Sequence, residues 1–179
     1  MNGNLTPTPL TYYHYNMLLP VVTEPNPILH KVGRLVDAKE LESKEMKKFI
    51  KNLIETMYVK DGVGIASPQV GESIQICVIA KQFSPLNKRE DLVLVNPTWE
   101  KLSIKKSWDM EGCLSVPLIY GEVKRYTDIR VKALDQNGKP LIFEAHDFPA
   151  RIVQHEADHL NGTLFIEKAR KLRKIESQM

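Results

Sequence analysis

The chain has 179 residues, 42% of them hydrophobic and 26% charged, with 25 basic side chains against 22 acidic ones. That is the profile of one soluble domain large enough to bury a core, and so even a charge balance does not describe a nucleic-acid binder. With two cysteines, Cys77 and Cys113, a disulfide framework is excluded, and no apolar run reaches the roughly 18 residues that would mark a membrane helix.

Residues 1–16 are polar, contain prolines and tyrosines, and show no period, which predicts a poorly anchored extension ahead of a catalytic domain over residues 17–179. The first 30 residues hold no Lys or Arg, which argues against a secretory signal or an organelle presequence and for a cytoplasmic protein. Pro25 and Pro27 mark an irregular segment that delivers Ile28 and Leu29 to the core.

A helix is predicted over residues 43–60. Met46, Phe49, Ile50, Leu53, Ile54 and Met57 recur at the spacing of one helical face, Ser43 suits the N-cap, and Asp61-Gly62 stops the helix. Residues 73–80 and 91–96 are short and rich in β-branched side chains, and read as strands. Residues 128–134 and 140–145 flank Gln136-Asn137-Gly138, whose Asn-Gly pair predicts a tight hairpin turn.

Helical spacing returns over residues 149–160 and ends at Asn161-Gly162. A third helix is predicted over residues 167–178, carrying Lys168, Arg170, Lys171, Arg173 and Lys174. Strands and helices are segregated along a single domain, so the class is α+β.

The chemistry is concentrated in Gln154-His155-Glu156-Ala157-Asp158-His159. On a helix His155 and His159 project one turn apart from the same face and can share one divalent ion. Glu156 stands beside the first imidazole, where its carboxylate can take a proton from a water activated by that ion. A third ligand is needed, and Cys113 in Glu111-Gly112-Cys113-Leu114-Ser115 supplies a thiolate; two imidazoles, a thiolate and an open position make a catalytic-type site. Cys77, inside an apolar strand, reads as a small buried hydrophobe. In residues 62–69 two glycines permit close backbone approach, and their spacing fits neither phosphate-binding loop.

Together these three segments resemble the signature motifs of the peptide deformylase family, G-x-G-x-A-A-x-Q, E-G-C-x-S and H-E-x-D-H, which stand here as GVGIASPQ (62–69), EGCLS (111–115) and HEADH (155–159). The resemblance runs from about Met17 to Phe165. It implies antiparallel sheets packed around a central helix that carries HEADH, and hydrolysis of the N-formyl group of nascent formyl-methionyl polypeptides with release of formate. It assigns Cys113, His155 and His159 to one metal ion, Fe(II) in the cell with Zn, Ni or Co as substitutes. Glu156 becomes the general base and acid, while Gln69 and the backbone N–H of Leu114 hold the oxyanion. Val63, Gly64, Gly112, Tyr120, Phe148 and Ile152 would contact substrate. The resemblance also raises a ribosome contact through the basic C-terminal helix, against the plainer reading of a solvated helix face.

Three further expectations follow. Arg125 is expected to bridge Glu111, Asp158 or both, because bare carboxylates near the metal site are costly. Ser67 replaces the family's second alanine and needs a partner for its hydroxyl. Asp147 lies at a turn where the family often has glycine. A zinc endopeptidase shares H-E-x-x-H, but His159 is the last histidine of the chain, so no downstream histidine ligand exists.

Overall fold

The computed structural model describes residues 17–86 and 89–176; the expected extension over residues 1–16 lies outside them. Two helices, α1 (Lys44–Val59) and α2 (Asp147–Leu160), combine with eight strands. Strands β1 (Gly64–Ala66), β2 (Ile76–Ile79), β3 (Leu92–Lys101), β6 (Asp128–Leu134) and β7 (Pro140–His146) form one antiparallel sheet in the order β1-β2-β3-β6-β7. Strands β4 (Lys106–Cys113), β5 (Val116–Tyr126) and β8 (Arg170–Lys174) form a second, in the order β4-β5-β8. The α+β class is as expected.

Strands β1 and β2 and the start of β3 are buried on both faces, which explains why β2 and the start of β3 read as unbroken apolar runs. Ile76, Val78, Val93 and Val95 face α1, packing with Ile50, Leu53 and Met57. Cys77, Ile79, Leu92 and Leu94 face the other way, toward Ala150, Ile152, Val153 and Leu160 of α2. The alternation is that of a pleated strand, with a core on each side. Leu29 and the partly buried Ile28 join a third cluster with Val123, Leu164 and Phe165. Helix α2 thus has the large sheet on one side and the small sheet on the other.

Local chemistry accounts for the boundaries. The Ser43 hydroxyl accepts the Met46 N–H at 3.1 Å and caps α1, and Asp61 ends that helix region at φ +54°. Strand β3 runs past the expected stop at Asn96-Pro97. Asn96, at φ +51°, sits in a bulge between Val95 and Thr98, after which pairing with β6 resumes. The expected hairpin joins β6 to β7, and in its turn Gly138 alone of the Asn-Gly pair has positive φ, +76°. Asp135 Oδ1 accepts the N–H groups of Asn137 and Lys139, closing a three-residue loop.

The predicted C-terminal helix is corrected: Arg170–Lys174 is strand β8, paired antiparallel with β5. As a strand it places Arg170 and Lys171 on Glu122, at 2.9 and 3.0 Å, and packs Leu172 beside Gly121. Tertiary pairing overrides helix propensity here.

Candidate active site

The candidate side chains come from separate elements: β4, α2 and the 67–70 turn. Cys113 ends β4, where the register with β5 shifts between Gly112 and Cys113, and that irregularity turns the thiol toward α2. His155 and His159 lie one turn apart on α2 with ring centroids 5.0 Å apart. One ligating atom from each of Cys113, His155 and His159 lies within 4.8 Å of the others, and Cys113 Sγ is 3.1 Å from His159 Nε2. A thiolate with two imidazoles fits a divalent transition ion of borderline softness.

The imidazoles are unlike each other. His159 is held neutral, because burial pushes its pKa well below the ordinary histidine value. At His155 burial acts in the same direction, but hydrogen bonds with Cys113 and Glu111 outweigh it and push the pKa up to about 10. Its Nδ1 donates to Glu111 Oε2 at 2.9 Å, which leaves Nε2 for an ion.

Glu111 is the hub of a buried ionic network. Arg125 grips both its oxygens, Nε to Oε1 at 3.0 Å and Nη2 to Oε2 at 2.9 Å, and donates through Nη1 to Asp158. The expected brace therefore spans both carboxylates. Burial disfavours the Glu111 anion, yet the Arg125 and His155 partners hold its carboxyl well below the usual range. Sequence reasoning missed Arg151, which donates to Glu111 Oε1 at 2.7 Å and to the carbonyls of Val123 and Ser107. A lone arginine on an amphipathic helix reads as solvated. Only the close spacing of Arg151 to His155 on one helical face hinted otherwise. Lys168 closes the outer end of the network on Asp158 at 2.6 Å.

Glu156 is 3% exposed, and its Oε2 has no hydrogen-bond partner. Burial raises its pKa to about 7, where a carboxyl can both accept and return a proton. Gly64 makes room for it: a Cβ there would lie 2.5 Å from Glu156 Oε1. Gln69 is oriented by its own turn. Its Oε1 accepts the Ala66 N–H at 2.8 Å, so its Nε2 faces Cys113 Sγ, 3.4 Å away. The Ser67 hydroxyl finds its partner in the Ile74 carbonyl at 2.5 Å, away from the site. Asp147 does adopt positive φ, +49°.

A cleft of about 480 Å³ opens over this constellation. Among the expected residues, Val63, Gly64, Gln69, Gly112, Cys113, Leu114, Tyr120, Phe148, Ile152, His155 and Glu156 line it, and His159 lies buried behind. The Tyr120 ring lies over Gly112, where a Cβ would come within 2.6 Å of it. Met110, Leu118, Ile119 and Asp61 also line the cleft and were not anticipated. Cys77 takes no part: it is buried in strand β2 of the larger sheet, and burial pushes its thiol pKa up.

The family model for polypeptide deformylases matches residues 18–175. A peptide deformylase of Brucella suis is 40% identical over 157 residues, covering 87% of this chain and 86% of the relative. Peptide deformylase 2 of Vibrio vulnificus is 45% identical over 152 residues, covering 84% and 85%. A crystal structure of a class I type b peptide deformylase from Acinetobacter baumannii, bound to Met-Ala-Ser, superposes with a TM-score of 0.79 at 38% identity, covering 86% of this chain and 99% of that one. The chain belongs to the polypeptide deformylase family.

Proposed function

We propose that this member of the family carries out deformylation with Cys113, His155 and His159 holding one divalent ion and Glu156 moving the proton. The reaction of a peptide deformylase is hydrolysis of the formyl amide at the N-terminal formyl-methionine of nascent polypeptides, releasing formate, and the enzyme is a metallohydrolase. The observation that carries the residue assignment is the convergence of a thiol and two imidazoles beside a buried, unpaired carboxyl.

When bound, the ion supplies Lewis acidity that lowers the pKa of water toward about 7. Glu156 takes the proton from the attacking water. As charge builds on the formyl oxygen, Gln69 Nε2 and the Leu114 N–H donate to it, with Gln69 preset by Ala66. When the carbon–nitrogen bond breaks, Glu156 returns its proton to the departing amine and formate leaves. Burial excludes bulk water, so these donors act in a low dielectric.

The substrate lies extended, using backbone groups of Val63, Gly64 and Gly112 as an added strand would. Its methionine side chain enters the pocket beside Val63, Phe148, Ile152 and His155, and Tyr120 borders the next residue. Fe(II) is the ion used in the cell, with Zn, Ni or Co able to replace it, since this donor set accepts all four. The protein works in the cytoplasm, where Cys113 stays reduced. No helix among the described residues is long and apolar enough to cross a membrane. The exposed cations of β8 extend the reading to a contact with ribosomal RNA, which salt-dependent co-sedimentation with ribosomes tests.

The deciding experiment is formate release from a formyl-methionyl tripeptide by protein loaded with Fe(II) without oxygen. Rapid release that depends on Glu156 is expected. No release at full metal occupancy refutes the reading.

A further inference from the structure

The cleft is walled in part by Phe148 and Ile152 of α2 and in part by residues 118–120 of β5. On that second wall Leu118 is held at φ +64°. The other non-glycine residues with positive φ among those described are Asp61, Asn96, Asp147 and Lys171. Asp and Asn tolerate this region, whereas a leucine there is strained.

This residue is tied to the C-terminal strand. The Leu118 carbonyl accepts the Ile175 N–H at 2.8 Å, and the next pairs along are Ile119 with Lys174 and Tyr120 with Arg173. Gly121, one residue further, packs against Leu172 and Ala169 with no space for a Cβ. The result is a leucine side chain left 43% exposed at the cleft, on the same wall as the half-exposed Tyr120 ring. Strain together with exposure is a poor use of leucine for folding. The arrangement gains its apolar contact only when something in the cleft covers it.

We propose that Leu118 is a specificity-determining residue: with Tyr120 it receives the side chain that follows the formyl-methionine and favours apolar residues there. This rests on the deformylase reading above. In an extended peptide successive side chains point to opposite faces. A methionine directed to Phe148 and Ile152 therefore directs the second side chain away from α2, and Leu118 and Tyr120 are the exposed apolar side chains that the β5 wall offers it. From Val116 to Gly121 that wall carries no charged side chain, so an acidic or basic second residue finds no partner on it.

The test compares formyl-Met-X-Ser peptides with X as Leu, Ala and Lys on the metal-loaded enzyme. Wild type is expected to show kcat/KM about fivefold higher for Leu than for Ala, the difference lying in KM. In Leu118→Gly the Leu-to-Ala ratio falls to about one while the unfolding midpoint is unchanged or higher, because glycine relieves the backbone. Leu118→Asp, which also tolerates positive φ, shifts preference toward X = Lys. A Leu-to-Ala ratio near one in wild type, a ratio unaltered by both variants, or an equal kcat loss for every peptide would overturn the proposal. No formate from any peptide with metal bound would instead refute the deformylase reading itself.

Discussion

His155 donates its Nδ1 proton to Glu111 across 2.9 Å, and this one contact fixes which nitrogen of the imidazole faces the candidate metal site. Glu111 is in turn fixed by Arg125 and Arg151, so the ligand geometry rests on a buried carboxylate shared by two guanidiniums.

Glu111→Gln keeps the shape and removes the charge. Two buried guanidiniums then lose their partner, which is expected to lower stability by about 3 kcal/mol. The amide can also present its N–H₂ to Nδ1 and select the wrong tautomer, weakening metal affinity by about 10- to 100-fold. Chelator competition followed by metal analysis reads the second effect separately from thermal unfolding.

Glu156→Gln is expected to cut formate release by at least about 100-fold with the metal content unchanged. Since burial already disfavours the carboxylate, as its pKa of about 7 records, the amide should not lower the unfolding midpoint. A variant that loses its metal along with its activity would contradict a purely proton-transferring role.

Gly64→Ala places a methyl group 2.5 Å from Glu156 Oε1 and 2.9 Å from its Cδ. Either the carboxyl or β1 must move, and a displacement of that size is expected to cost about 100-fold in kcat. Unchanged kcat in steady-state assays would show that Glu156 has slack that its burial does not suggest.

Ser67→Ala removes a buried hydroxyl that donates to the Ile74 carbonyl. Loss of about 1–2 kcal/mol is expected in denaturant titration, with kcat/KM within about twofold of wild type, because the hydroxyl points away from the cleft. The serine at this position would then be a local tie between the 67–70 turn and residues 74–76, with no part in binding.

The parts legible in the sequence were those fixed by local spacing. Helix α1 follows from its apolar face and Ser43, and the histidine pair follows from four-residue periodicity on α2. Strands β4 and β5 give little signal in the sequence: in β4 the alternation is confined to Trp108 and Met110, and both of those apolar side chains are exposed. Strand β8 reads as a helix in the sequence because its pairing to β5 is long-range and leaves no trace in composition. Arg151 was passed over for the same reason: its partners Glu111, Val123 and Ser107 lie far away along the chain and meet it only in the fold.

The register shift at Cys113 has a consequence for the integrity of the molecule as well as for its chemistry. It puts the sulfur donor on the small sheet, while both nitrogen donors sit on the helix packed against the large one. An ion shared among them is a cross-link between layers, closing a loop between segments far apart in sequence. Part of its binding free energy is therefore conformational free energy. Stripping the ion should loosen the seam between α2 and the β4–β5 hairpin first, visible as faster amide exchange there while the α1 side of the large sheet stays protected.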